Sequence, residues 1–228
     1  MNGSSGTLYV VATPIGNLKD ITLRAIDTLK QASLIACEDT RHTKKLTAHY
    51  GIETPVTSYF QYSPAAKSQH IIDVLKQGKS VALVSDAGTP GISDPGYRLI
   101  KEAIDNNINV TIIPGASAII SALVISGLPT DRFLFEGFLS NKSGQRRKRL
   151  EFFKDETRTV IFYESPHRLL KCLKDMQNVF GDITAVCARE ITKKFEEVKR
   201  ANLSVLIEHF SKQTPLGEFV ILINPKIK

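Results

Sequence analysis

The feature that most constrains the fold is an alternation of short, unbroken apolar runs with segments of helical periodicity. Leu8–Thr13 (LYVVAT), Leu34–Cys37, Pro55–Tyr59, Ser80–Ser85 (SVALVS) and Asn109–Ile113 (NVTII) read as strands. Runs with no polar alternation suit strands buried on both faces, the condition of a parallel sheet covered by helices. Helices fit between them. They are Asp20–Leu29, Thr40–Tyr50 closed by Gly51, a segment opened by Ser63-Pro64 and ended by Gly78, and one opened by Asp94-Pro95. Proline suits a first helical turn and glycine the residue after the last. This βα repeat predicts an α/β domain over residues 7–128. Leu128-Pro129-Thr130-Asp131 reads as a linker. Beyond it, strands at Arg132–Phe138, Thr157–Tyr163, Ile183–Arg189 and Glu218–Ile223 and helices near Gln145–Lys154, Pro166–Val179 and Leu203–Ser211 predict a second α/β domain over 129–228. Met1–Gly6 is set aside as a leader.

Charge divides the chain in the same place. Residues 1–128 carry 11 Lys and Arg against 10 Asp and Glu, whereas residues 129–228 carry 19 against 13. A basic excess confined to one half suggests a polyanionic partner touched by that half. No run of 18 apolar residues exists, so no membrane span is expected. The N-terminus has no basic segment followed by an apolar one, so a cytoplasmic location is expected. Cys37, Cys172 and Cys187 are odd in number and match neither a disulfide nor a zinc pattern. They read as core residues in a reducing compartment. No GxGxxG after a strand, no GxxxxGK[ST], no HExxH and no paired CxxC occurs. The usual dinucleotide site, P-loop phosphoryl transfer and a metal centre therefore have no support.

Three strands run into glycine- and proline-rich turns: Ala12–Asn17 (ATPIGN), Ser85–Gly96 (SDAGTPGISDPG) and Ile113–Ala118 (IPGASA). Ligands of open parallel sheets bind at the carboxyl ends of strands. Glycines such as Gly88 and Gly115 let backbone approach a ligand closely. One such turn is most often only a turn; three at three strand ends point to a shared pocket. Glu38–His42 (EDTRH) reads either as a helix cap, with acids complementing the helix dipole, or as a ligand-facing cluster. Phe162–Arg168 (FYESPHR) and Ala188–Lys194 (AREITKK) sit where strands end and leave the same two readings open. Asn141–Arg149 holds five basic residues in nine before Leu150, Phe152 and Phe153. It reads as a solvated helix face or as an anchored phosphate-binding stripe.

TPIGNLKDIT (Thr13–Thr22), EDTRHT (Glu38–Thr43), SDAGTPGISDPG (Ser85–Gly96), PGASA (Pro114–Ala118), FYESPHR (Phe162–Arg168) and AREITK (Ala188–Lys193) follow one another in that order. Together they closely resemble the ribosomal RNA small subunit methyltransferase I family, in the tetrapyrrole methylase superfamily. The likeness runs from about Thr7 to Ile223. It implies a two-domain tetrapyrrole methylase-like fold, with a parallel-sheet N-terminal domain and a mixed-sheet C-terminal α/β domain. It also implies a homodimer, with S-adenosylmethionine held in the cleft between the domains. By position, Pro14 and Ile15 would form the first cofactor loop, Gly88, Thr89, Pro90 and Ile92 the second, and Ser117 and Ala118 the third. Phe162 and Tyr163 would close the pocket from the second domain. The implied reaction is methylation of the ribose 2′-oxygen of a cytidine in the decoding centre of 16S rRNA, with the RNA or the assembled 30S subunit as acceptor. Tetrapyrrole-modifying relatives usually carry GDP where this chain has Gly88-Thr89-Pro90, a departure in keeping with the RNA branch. Some RNA-acting relatives carry a C-terminal extension, and here Lys228 follows soon after the last strand. Any RNA contact from such an extension would be missing or replaced.

A ribose hydroxyl is a weak acid, so a base near it is useful. Glu164 and His167 are the first candidates and Asp39 the next, with Asp86 and Asp94 behind them. Arg41, Arg146, Arg147, Lys148, Arg149, Arg168, Arg189 and Lys193 are the candidates for holding RNA phosphates. Two other functions compete: methylation of a tetrapyrrole or other small molecule, and a non-catalytic RNA-binding module.

Overall fold

The computed structural model describes residues 5–60, 63–212 and 214–227; Met1–Ser4 of the expected leader lie outside them. The first unit runs β1 (Thr7–Val11), α1 (Leu23–Gln31), β2 (Leu34–Cys37), α2 (Thr40–His49), β3 (Val56–Ser58), α3 (Ala65–Lys76), β4 (Val81–Val84), α4 (Tyr97–Asp105) and β5 (Asn109–Ile113). Its five strands form one parallel sheet in the order β3-β2-β4-β1-β5. All four residues of β4 are buried, as expected of a strand covered on both faces. Successive residues serve opposite cores. Leu83 packs with Ile71, Leu75 and Leu99 of α3 and α4, while Ala82 and Val84 pack with Ala25, Leu29 and Leu46 of α1 and α2. Helices α1 and α2 thus cover one face of the sheet, and α3 and α4 the other.

That division locates a crevice. β4 is hydrogen-bonded to β1 on one side and β2 on the other. The chain leaving β4 turns to the face of α3 and α4, while the chains leaving β1 and β2 turn to the face of α1 and α2. Connections that part in this way open a gap at the carboxyl ends of neighbouring strands, where ligands of such sheets bind.

The second unit runs α5 (Ala118–Ser126), β6 (Phe133–Phe138), α6 (Ser143–Glu151), β7 (Thr159–Glu164), α7 (Leu169–Phe180), β8 (Thr184–Arg189), β9 (Glu197–Asn202), α8 (Leu203–Ser211) and β10 (Phe219–Ile223). Its sheet is mixed, in the order β6-β7-β10-β8-β9. β6 and β7 are parallel, and β10 runs antiparallel to both β7 and β8. Leu150 and Phe153 with α6, Leu169, Cys172 and Met176 of α7, and Leu203, Leu206 and Phe210 of α8 close one core over Val160, Phe162, Cys187 and Ile221. A bulge between Phe135 and Gly137, with Gly137 at φ 77°, breaks the register of β6 at Glu136.

The units divide between Ser117 and Ala118, earlier than the 128/129 boundary expected from the Leu128–Asp131 turn. The physical reason is α5, which packs against β10 and β8. Three expected helix starts also shift. α3 begins after Pro64 with no side-chain cap, and Ser63 Oγ instead accepts from Phe60 N–H at 2.9 Å. α4 begins after Gly96 rather than at Asp94-Pro95. α7 begins after Arg168, beyond a turn in which Arg168 N–H donates to the Ser165 carbonyl at 3.1 Å. All three cysteines are free and buried.

Candidate functional site

The carboxyl end of the first sheet is a set of loops stapled to one another. Thr13 N–H donates to the Gly88 carbonyl at 2.9 Å, and Gly88 N–H donates back to Thr13 at 3.1 Å. Thr13 Oγ1 donates to the Ser85 carbonyl at 3.1 Å. The turns after β1 and β4 are therefore joined across the crevice by three hydrogen bonds. Ala12 N–H donates to Ile113 at 3.0 Å, which ties the third turn to the first. Asp39 N–H donates to Asp86 Oδ1 at 3.1 Å, which ties in the turn after β2. Two glycines are required by this arrangement. Gly88 sits at φ 76°, where a side chain is strained, and a Cβ at Gly115 would stand 3.1 Å from Ala12 Cβ.

The electrostatics of this end are acidic. Burial, then the charges of Asp86, Asp94 and Asp39, push the Glu38 carboxyl up. Asp39 behaves oppositely. It caps α2, accepting from Arg41 N–H at 2.8 Å, and pairs with the exposed Arg41 guanidinium at 2.7 Å. The Arg41 hydrogen bonds hold its carboxyl well below the usual range, so it is a poor proton acceptor. Of the expected cofactor contacts here, Pro14, Ile15, Gly88 and Pro90 are buried, Thr89 and Ser117 half-buried, and Gly115 and Ile92 exposed. This donor set suits a cationic ligand with a polar tail: backbone amides and carbonyls, two positions free of side chain, and carboxylates around Glu38. Among the described residues no group of His, Cys, Asp and Glu could hold a metal ion.

In the second unit the strand ends carry charges of both signs, largely paired. β10 places Glu164, Phe219 and Arg189 in one row, Phe219 pairing with both. The carboxyl ends of β7 and β8 therefore lie at the same end of the sheet. β6, parallel to β7, ends there too and leads into the basic helix α6.

Several expected site residues have other work. Arg146 is buried, with 2% of its side chain exposed against 9% for Asp175 on α7, and their atoms lie 2.6 Å apart. Its Nε donates to Asp175 at 2.8 Å and its Nη1 to the Ser140 carbonyl at 3.0 Å. The expected phosphate contact is thus corrected: Arg146 pins α6 to α7. Glu164, expected to act as a base, has a fully buried side chain. Its Oε1 accepts from Ser165 N–H at 2.8 Å and from Arg168 Nε at 2.7 Å. It stands beside Cys172, whose thiol burial and the Glu164 charge push well up. This carboxylate clamps the turn from inside the core. Phe162 is a core side chain, edge-on to Phe153 at 5.8 Å, so only its backbone could meet a ligand. Tyr163 lies on the opposite face, half-buried between Phe135 at 4.9 Å and Phe138 at 5.5 Å. Ala118 is half-buried at the start of α5.

His167 is exposed on the clamped turn, and Lys148 is exposed on α6. Arg147 is half-exposed, 3.8 Å from Asp175. Arg149 pairs with bulged Glu136 at 2.6 Å, Arg189 with Glu197 at 2.7 Å, and Lys193 with Glu190 at 2.9 Å and Glu218 at 2.7 Å. Sequence reading missed Asp175, Glu136, Glu197 and Glu218, acids that hold these cations. The signal for the first pair was present. Arg146 shares helical spacing with Leu150 and Phe153, and Asp175 with Cys172 and Val179, so both lie on buried faces.

The family of Tetrapyrrole (Corrin/Porphyrin) Methylases matches residues 7–207 of the chain. The Ribosomal RNA small subunit methyltransferase I of Synechocystis sp. is 51% identical, over 96% of this chain and 78% of that protein. The protein of the same name from Thermotoga maritima is 46% identical, over 97% and 99%, and that from Bacillus subtilis 46%, over 97% and 77%. Among solved structures, a diphthine synthase superposes with a TM-score of 0.76 at 18% identity, covering 98% of this chain and 92% of that one. A cobalt precorrin-4 methyltransferase superposes with a TM-score of 0.70 at 16% identity, over 95% and 94%. At such identities the structural likeness speaks to the fold alone.

Proposed function

This chain belongs to the tetrapyrrole methylase family, and within it to the ribosomal RNA small subunit methyltransferase I family, and on that premise we propose that it methylates the ribose 2′-oxygen of a cytidine in small-subunit rRNA, using S-adenosylmethionine in the cytoplasm. The observation that carries this reading is identity of 46–51% over nearly the whole chain to relatives bearing that one name. The strand-end loops of the first unit and the exposed basic side chains Arg147 and Lys148 of the second support it.

When bound, S-adenosylmethionine supplies a methyl group already activated by its sulfonium. The chain must hold it, orient the acceptor oxygen, exclude water and receive a proton. Backbone around Pro14, Gly88 and Gly115 would hold the cofactor's polar parts, and the carboxylates around Glu38 would complement its positive charge. His167 is the side chain best placed to take the hydroxyl proton: it is exposed, and the Glu164–Arg168 clamp fixes its turn. Arg147 and Lys148 would meet phosphates, and Arg149, about half exposed beside Glu136, would exchange that partner for one, since exposed pairs are worth only about 0–1 kcal/mol; Arg189 and Lys193 are partly buried with their acids, and Arg168 stays on the buried Glu164. The chain is also proposed to dimerise with itself. Tyr97 and Ile104 of α4 and Ile112 of edge strand β5 are 72%, 59% and 52% exposed. A monomer mass in sedimentation would refute that.

The direct test incubates small subunits, from cells lacking this protein, with enzyme and labelled S-adenosylmethionine, then identifies the labelled nucleoside by mass spectrometry. Label in 2′-O-methylcytidine is the expected result. Label in a base, or only in large-subunit RNA, would refute the proposal, and turnover with corrin precursors alone would establish the small-molecule reading.

A further inference from the structure

The loop 190–196, which leaves β8, is braced by its own hydrogen bonds. Glu190 and Thr192 take left-handed backbone at φ 50° and 67°, a strain that persists only where the surroundings over-determine it. Here they do. Glu190 N–H donates to the Glu218 carbonyl at 3.2 Å. Glu190 Oε1 accepts from Lys193 Nζ at 2.9 Å and from Glu218 N–H at 3.1 Å. Thr192 N–H donates to Glu196 Oε2 at 2.6 Å. Opposite Glu190, Gly217 has room for no side chain, since a Cβ there would stand 2.4 Å from Glu190 Cγ.

This strained and braced loop presents an aromatic ring to water. Phe195 is 68% exposed. A phenyl ring left in water forgoes the burial that a core position would give it. Lys194 lies over the ring, its Nζ 5.6 Å from the centroid. Lys193 is held by its two carboxylates. The position is informative as well. Because β7 and β8 flank β10 and end in the same row, their carboxyl ends are about 10 Å apart at the usual strand spacing. Phe195 is thus carried by the loop neighbouring the turn that bears His167. An exposed ring on a hydrogen-bonded loop with an adjacent lysine has the chemistry that single-stranded RNA meets: a face for a base to stack on and a cation for the phosphate beside it.

We propose that Phe195 is a stacking platform for a nucleobase of the RNA acceptor, with Lys194 moving off the ring to the adjoining phosphate. This rests on the RNA reading above. Phe195 is a positioning residue and takes no part in the transfer.

The test exploits a property of the sequence, which contains no tryptophan. Phe195→Trp introduces a single indole, and its emission should be quenched saturably on titration with small ribosomal subunits from cells lacking this protein. Phe133→Trp, at the opposite end of the same sheet, should not respond. Phe195→Ala and Phe195→Leu should weaken subunit binding by about 5- to 150-fold, the range for loss of one base stack. Phe195→Tyr should bind as the native protein does. All four Phe195 variants should melt within about 2 °C of it. Indole emission unchanged at saturation, or Phe195→Leu binding as tightly as the native protein, overturns the platform and leaves the RNA reading standing. Failure of the native protein itself to bind or methylate the subunits overturns both.

Discussion

Arg146 and Lys148 are two residues apart in one basic run, and their substitutions should have opposite consequences. Arg146→Ala leaves the Asp175 carboxylate with 9% exposure, the Ser143 hydroxyl at 2.9 Å, and Arg147 no nearer than 3.8 Å. Removing one partner of a buried pair costs about 3–5 kcal/mol, because the other charge stays buried. That is a large part of a total stability of about 5–15 kcal/mol. For a chain of this length each kcal/mol moves Tm by about 2–4 °C, so a fall of about 6–20 °C is expected. Lys148→Ala removes an exposed side chain and should change stability by no more than about 0.5 kcal/mol. Its effect should fall on RNA: the slope of log K against log salt should drop by about 0.7–0.9, one phosphate contact. Calorimetric melting and filter binding at four salt concentrations measure both quantities on both variants. Arg146→Met with Asp175→Leu should recover most of the lost stability, since the apolar pair leaves no orphaned charge. An Arg146→Ala protein that melts normally and loses only salt slope would refute the assignment of Arg146 as a structural pin.

Three further outcomes are expected. Gly88→Val forces a branched side chain to φ 76°, and Gly115→Val drives one into Ala12; both should abolish S-adenosylmethionine binding by calorimetry, and undiminished binding would remove the loops from the cofactor site. Glu38 has a folded pKa raised by burial and by Asp86, Asp94 and Asp39, so the folded state holds its proton more tightly than the unfolded chain and stability falls as pH rises from the unfolded pKa through the folded one. Glu38→Gln should flatten that decline and raise Tm at pH 7, and a Tm lowered equally at pH 4 and pH 7 would contradict the cause given. His167→Ala should cut turnover by about 10²–10⁴-fold with cofactor binding intact, whereas Glu164→Gln should cost about 1–3 kcal/mol of stability through the clamp; full turnover by the His167 variant would dismiss it as the base.

The sequence was readable wherever burial imposed a simple pattern. β2, β5 and α8 carry the residue limits expected of them, because each is an apolar run or stripe bounded by polar residues. Two elements were not anticipated, for opposite reasons. β9 (EVKRAN) is an edge strand with every residue half-buried or exposed, so only its pairing with β8 makes it a strand. α5 (AIISALVIS) is apolar all round, without the polar face that marks a helix. In the site, glycine turns at strand ends were legible because few residue types tolerate that backbone. Charged side chains were not, because a basic or acidic letter does not say whether its partner is water, RNA or another side chain. The spacing of Arg146 with Leu150 and Phe153 shows its inward face, but its pairing with Asp175, like the clamp of Glu164 under α7, is a fact of tertiary packing.

The central strand of the second sheet is also its last to be made. β10 is buried at all five positions and lies between β7 and β8. During synthesis the first unit has all its strands once residue 113 is added, whereas the second lacks its middle until residue 223. At ribosomal speeds of about 5–20 residues per second, that leaves an interval of roughly 5–20 s. Once β8 is complete at residue 189, the facing edges of β7 and β8 have no strand to pair with until β10 follows, and the apolar undersides of α6 and α7 have only half a sheet to cover. Unpaired edges and uncovered apolar faces are what draw nascent chains into aggregates or onto chaperones. The N-terminal half can therefore be in place while the half with the basic excess still depends on protection.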